Sequence, residues 1–175
     1  MNEHQIVNLT KALDTLKNKN GRIFFLTLDT KGIAKAAIAY NYEIVKALND
    51  AGYSAFIMHE KNDFDSVESW LGSDLASVPH VSIESKEIKV EICDLVIIPE
   101  VFGHVLDQTK QMPCEKMILC QAYDYIFETL PPGMTWSTYN VHRCISTSEK
   151  HSEMISSLMP NIKIENIKLY IPEYF

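Results

Sequence analysis

The strongest constraint in this sequence is a set of short apolar runs, each followed by a stretch with helical periodicity. Arg22 to Leu28 reads RIFFLTL, Asp94 to Pro99 reads DLVIIP, and Lys116 to Gln121 reads KMILCQ. A strand with one face in water alternates apolar and polar side chains. A strand apolar at nearly every position is buried on both faces, as in a parallel sheet covered by helices. Tyr53 to His59, Val81 to Ile83, Ile88 to Val90 and Arg143 to Thr147 are further strand candidates, and Ile162 to Ile171 is strand-like.

Between these runs the spacing predicts helices. His4 to Lys17 carries Ile6, Leu9, Leu13 and Leu16 at helical intervals and stops at Asn20-Gly21. Ala34 to Asp50 turns Ile38, Ile44, Val45 and Leu48 inward, with Gly52 where a C-cap glycine belongs. A short helix is expected over Gly103 to Lys110, another from Tyr123 to Leu130 ahead of Pro131-Pro132-Gly133, and another from Ser148 to Leu158 ahead of Pro160. Asp65 with Glu68, and Ser146 with Glu149, have capping-box spacing; the first pair leads into Trp70-Leu71. Alternating strands and helices predict an α/β fold: an open parallel sheet with helices on both faces, in three layers. A closed eight-stranded barrel takes about 250 residues, and this chain has 175. Residues 1–20 read as an amino-terminal helix outside the sheet, and residues 21–175 as one domain.

Several function classes are disfavoured. The net charge is −7 and no Lys/Arg run occurs, unlike a general nucleic-acid binder. Gly32 is a single glycine rather than GxGxxG, and no GxxxxGK[ST] is present, so no nucleotide cofactor is expected. The four cysteines form no CxxC, and His142 with Cys144 is too little for a metal site. Cys93, Cys120 and Cys144 sit in or beside apolar runs and are expected as buried free thiols. Met1 to Lys19 lacks the apolar core of a signal peptide, and no stretch approaches the roughly 20 apolar residues of a membrane span, so a cytoplasmic protein is expected. Contact with a membrane surface is not barred, nor is pairing of two copies through an apolar strip of Ile167, Leu169, Ile171, Tyr174 and Phe175.

An open α/β sheet binds ligands beyond the carboxyl ends of its strands, where helices begin with free N–H groups. The residues there are Asp29-Thr30-Lys31-Gly32, His59-Glu60, Glu100 to Gly103, Tyr123-Asp124-Tyr125 and Ser148-Glu149. Polar and aromatic loops after apolar strands suit a polar, ring-bearing ligand such as a sugar, and equally suit solvent exposure. Asp29 fits a helix cap or a ligand contact. Lys31 suits an anion at a helix start. His59 is the candidate general base, or a hydrogen-bonding structural residue. Glu100 fits a contact to a hydroxyl or a cap.

The run DTKGIAKAAIAYNYEIVKALNDAGYSAFIMHE, ending its helix in Ala47-Leu48-Asn49-Asp50-Ala51-Gly52-Tyr53, resembles the opening of a GT-B glycosyltransferase of the glycogen-synthase-like family 4. DLVIIPEVFG, MILCQAYDYIF and CISTSEKHSEMI resemble later segments of the same half-domain, in order, so that the likeness covers about Arg22 to Phe175. It implies a Rossmann-like amino-terminal domain that holds the acceptor of a sugar transferred from a nucleotide-sugar. The nucleotide-sugar is held by a second domain carrying an E-x7-E pair. Glu60 with Glu68 and Glu165 with Glu173 have that spacing in the wrong context, so the donor domain is expected to be absent and the chain inactive alone. On this reading Asp29 to Gly32 face the donor diphosphate, and Glu100, Tyr123, Asp124 and Ser148 serve as substrate-binding candidates. The alternative is a non-catalytic ligand- or partner-binding module.

Overall fold

The computed structural model describes residues 9–11, 13–14, 19–122 and 124–167. Its centre is a seven-stranded, all-parallel sheet. The strands are β1 (Arg22–Leu26), β2 (Ser54–His59), β3 (His80–Ser82), β4 (Leu95–Pro99), β5 (Glu115–Cys120), β6 (Arg143–Ser146) and β7 (Lys163–Asn166). Their spatial order is β3-β2-β1-β4-β5-β6-β7. The chain therefore winds outward from β1 in one direction, then returns and winds outward from β4 in the other. The fold is Rossmann-like, with its topological switch between β1 and β4.

The apolar runs are double-faced, as parallel strands require. In β1, Ile23 and Phe25 enter one core cluster while Phe24 and Leu26 enter another. Leu95 and Ile97 alternate with Val96 and Ile98 in the same way, and Met117 and Leu119 alternate with Ile118 and Cys120. The period-2 geometry of a strand sorts neighbouring side chains to opposite faces. The first face is covered by α1 (Ala36–Asp50) through Ile38, Ile44, Val45 and Leu48, with Leu9 and Leu13 of the amino-terminal segment packed in the same cluster. Trp70 and Leu75 of the short helices α2 (Glu68–Leu71) and α3 (Ser73–Ala76) pack against it. The second face is covered by a 3₁₀ helix (Glu100–Val105) running into α4 (Leu106–Thr109), and by α5 (Asp124–Thr129), a 3₁₀ turn (Trp136–Tyr139) and α6 (Glu149–Leu158). Three layers result.

The chain leaves α1 through a Schellman-type C-cap: Gly52 N–H donates to Asn49 O and Tyr53 N–H to Leu48 O, with Gly52 at φ +85°. Several expectations need correction. Ile88 to Val90 forms no strand; its apolar side chains are partly buried against the second cluster, but its backbone joins no ladder. Helix α2 has Val67 at its N-cap without a side-chain cap, so Asp65 makes no capping box; Ser66 Oγ accepts from Glu68 N instead. Helix α6 is capped by Ser148, whose Oγ accepts from His151 N, while Ser146 ends β6 and its hydroxyl donates to Ser148 O. Cys114, Cys120 and Cys144 are the buried thiols, and Cys93 is half-buried. Of the anticipated apolar strip, Ile167 is buried in the first cluster rather than exposed. Leu169, Ile171, Tyr174, Phe175, and Ile6 and Leu16 of the first helix lie outside the described residues.

Candidate functional site

A cleft of 550 Å³ opens at the carboxyl ends of β1, β4, β5 and β6, over the topological switch. Such a volume suits a small-molecule site. Leu28 follows β1; Pro99 ends β4 and Glu100 to Phe102 follow it; Gln121 and Ala122 follow β5; Thr147 and Ser148 follow β6. The opening turns of α1 and α6 close its sides.

Helix α1 begins in the cleft wall. Lys35 holds its N-cap position without a side-chain hydrogen bond, so no side chain caps the helix there, and the cleft-lining Ala36 and Ala37 sit in its first turn. Gln121 Nε2 donates to Ala37 O at 3.1 Å, tying the end of β5 to this turn. One turn further, Tyr40 and Asn41 also line the cleft, only 3% and 1% exposed. The Tyr40 hydroxyl and both polar atoms of the Asn41 amide are buried without a hydrogen-bond partner. A buried polar group left unpaired costs about 1–3 kcal/mol. Positions that carry such a cost are candidates for ligand contact.

Glu100 stands opposite. It is 4% exposed, and its Oε1 accepts from Ala122 N at 2.7 Å, while its Oε2 is buried and has no partner. Burial pushes the carboxyl above its ordinary range, against the opposing pull of the backbone N–H groups of Gln121, Glu100 and Ala122. The backbone around it is close-packed: a Cβ on Gly103 would fall 2.5 Å from Thr129 O, and the Thr129 hydroxyl donates to Glu100 O.

The structure separates the sequence candidates. Glu100 and Ser148 line the cleft, Ser148 as the α6 cap. Asp29, Lys31 and Gly32 do not line it, although Leu28 and Lys35 on either side do. Asp29 caps no helix; its Oδ1 accepts from Lys31 N at 3.1 Å within an exposed turn where Lys31 and Gly32 have φ +50° and +76°. Asp124 opens α5, exposed, and its neighbour Tyr125 lines the cleft instead. Tyr123 lies outside the described residues.

His59 ends β2, 4% exposed and away from the cleft lining. Its ring stacks on Phe64 at 3.7 Å between centroids, and its Nε2 meets His80 Nδ1 at 2.8 Å. Burial, then the neighbouring His80, depress its pKa to about 4, against a weaker opposing effect of Asp29. The histidine that does line the cleft is His151, in the first turn of α6. Its Nδ1 lies 3.3 Å from the Thr147 hydroxyl. Burial lowers its pKa, so the ring is neutral near pH 7.

Tyr40, Asn41, Gln121 and His151 are absent from the sequence-derived site, and Tyr125 is among the loop residues read there but not among the substrate-binding candidates. For Asn41 a signal existed: it lies three residues from both Ile38 and Ile44, on the apolar face of α1. Among the described residues no group of three His, Cys, Asp or Glu is placed to hold a metal ion, and no helix is long and apolar enough to cross a membrane. A scan against protein-family models finds no match, and neither the curated proteins nor the solved structures contain one.

Proposed function

We propose that this domain is the acceptor-side half of a glycosyltransferase, presenting a hydroxyl to a nucleotide-sugar held by another domain. One observation carries the reading. At the switch point of a Rossmann-like sheet, Tyr40, Asn41 and Glu100 offer buried hydrogen-bonding atoms that the protein itself leaves unpartnered. Hydroxyl groups, each both donor and acceptor, complement such a mixed set. The ordered likeness of the segments to the glycogen-synthase-like family supports it.

In such a transfer the acceptor oxygen forms a bond to the anomeric carbon, the bond from that carbon to the diphosphate breaks, and the hydroxyl proton leaves. His151, neutral and in the cleft, is the residue suited to take that proton. A non-catalytic ligand-binding module is the second reading. It is favoured by the position of the Asp29–Gly32 turn outside the cleft lining.

Calorimetric titration of the chain with nucleotide-sugars, beside a sensitive hydrolysis assay, tests the first reading. Transfer needs donor and acceptor held together between two walls. No micromolar donor affinity and no turnover are therefore expected. Micromolar binding or turnover by this chain alone overturns it.

A further inference from the structure

We infer that the acceptor taken by this cleft is an uncharged molecule with an apolar or aromatic body attached to its hydroxyl-bearing part, rather than a free polar sugar or an anion. The inference rests on the acceptor-side reading and names the class of its substrate.

The deepest polar atoms of the site belong to Tyr40, Asn41 and Glu100, with Gln121, Ser148 and His151 half-buried around them, while the rest of the exposed lining is mostly apolar. Leu28 and Ile38 form one side, Val101 and Phe102 the other, and the Tyr125 ring stands at the opening, 43% exposed. An acceptor that is polar all round gains hydrogen bonds at Asn41 and Glu100 but loses its own hydration against these walls. An apolar body removes that mismatch and adds burial on both partners.

Charge points the same way. Among the described residues Lys35 is the single Lys or Arg of the lining, and it is exposed. The buried Glu100 carboxyl opposes any phosphate or carboxylate brought beside it. Asn41, by contrast, presents a donor and an acceptor together, and Glu100 Oε2 completes a set suited to neighbouring hydroxyls.

The test compares two ligands that share one sugar. The ¹⁵N-labelled chain is titrated with 4-nitrophenyl β-D-glucopyranoside and with methyl β-D-glucopyranoside, following amide shifts in the first turn of α1 and around Glu100. The aryl glycoside is expected to bind about tenfold more tightly, the worth of burying one ring face. In Tyr125→Ser, an exposed position that leaves the core intact, that ratio should fall toward one. In Asn41→Leu both affinities should drop, with the thermal midpoint showing that the fold is kept. Equal Kd values for the two glycosides overturn this inference and leave the acceptor-side reading standing. An aryl preference that survives both substitutions also overturns it, because the ring then binds elsewhere. Uridine diphosphate displacing the aryl glycoside from the cleft overturns both this inference and the reading beneath it.

Discussion

Strand β4 carries a buried carboxyl near each end, and the two are treated in opposite ways. Asp94, just before the strand, is 1% exposed and saturated: it accepts from the Arg22 guanidinium through Nε at 3.1 Å and Nη2 at 2.6 Å, and from the backbone N–H groups of Arg22 and Glu91. Burial alone would raise its pKa, but these bonds outweigh it and hold the carboxyl below its ordinary range. Glu100, just after the strand, has one oxygen bonded and one bare, and burial wins. The neighbouring strands repeat the contrast. At their starts Lys116 donates to Thr109 O and Tyr139 O, and Arg143 bridges Glu115 and Glu165, though its Nε has no partner. At the other edge Thr27, Thr30, Tyr40, Asn41 and His59 all keep a buried atom without a partner. The amino-terminal edge is built for stability and the carboxyl-terminal edge for something still to arrive.

The sharpest way to break that contrast is to remove Asp94. Asp94→Ala strips four hydrogen bonds at once and leaves the half-buried Arg22 charge without its counter-ion. A loss of about 4 kcal/mol is expected, read as a fall in the urea midpoint, with the binding of the aryl glycoside unchanged in whatever fraction remains folded. A cost below about 1 kcal/mol, the range of an exposed ion pair, would show that the amino-terminal edge is not the anchor described here.

The sheet was legible because burial on both faces leaves little choice of residue: RIFFLTL and DLVIIP admit no water-facing side. The helix-covered parallel sheet, and a ligand crevice at the carboxyl ends of its strands, followed from the alternation of elements; the strand order with its switch between β1 and β4 did not, because alternation does not say on which side each new strand pairs. The interior of the site did not follow. Glu100 was reached because it succeeds a strand directly, but Asn41 and His151 lie on helices, where a polar residue ordinarily reads as solvent-facing. His59 misled for a related reason. Its place at a strand end is the same as that of Glu100, yet it ends β2, one strand away from the switch, where Phe64 and His80 close over it. Ile88 to Val90 had the composition of a strand and lacked only a neighbour to pair with, which no local pattern reveals.

His59 also gives the contrast a pH dependence. Its folded pKa of about 4 lies below the ordinary imidazole value of 6.5, so the unfolded chain binds more protons between those values. Its contribution to stability is complete above pH 6.5 and is lost as pH falls toward 4. That amounts to about 3 kcal/mol. His80, also depressed by burial, adds in the same direction. Glu100 works oppositely: its raised pKa keeps the proton on the native state, so its term weakens as pH rises. Asp94, held low, stabilises in full above its ordinary carboxyl range and loses that contribution only as pH falls below it. Thermal midpoints across pH 7 to 4 should therefore fall, and His59→Phe, which preserves stacking on Phe64, should flatten the fall. An unchanged slope in that variant would assign the acid sensitivity to other groups.

The smallest effect has the most diagnostic sign. Asn41 is 1% exposed with neither polar atom bonded, so in the empty protein its amide is desolvated without return. A leucine of similar size at the same point of α1 keeps the packing, improves helix propensity and removes the stranded donor and acceptor. Asn41→Leu should therefore stabilise the chain by about 1 kcal/mol, raising the urea midpoint while glycoside affinity drops. Substitutions that strengthen a fold and weaken its binding mark residues kept for a ligand rather than for the core. The same change at the other edge has no counterpart, since every polar contact of Asp94 is already used. If Asn41→Leu instead lowers the midpoint by a kilocalorie or more, the amide is contributing to the folded state through an interaction of its own. The division of the sheet into a satisfied edge and a waiting edge would then end at α1.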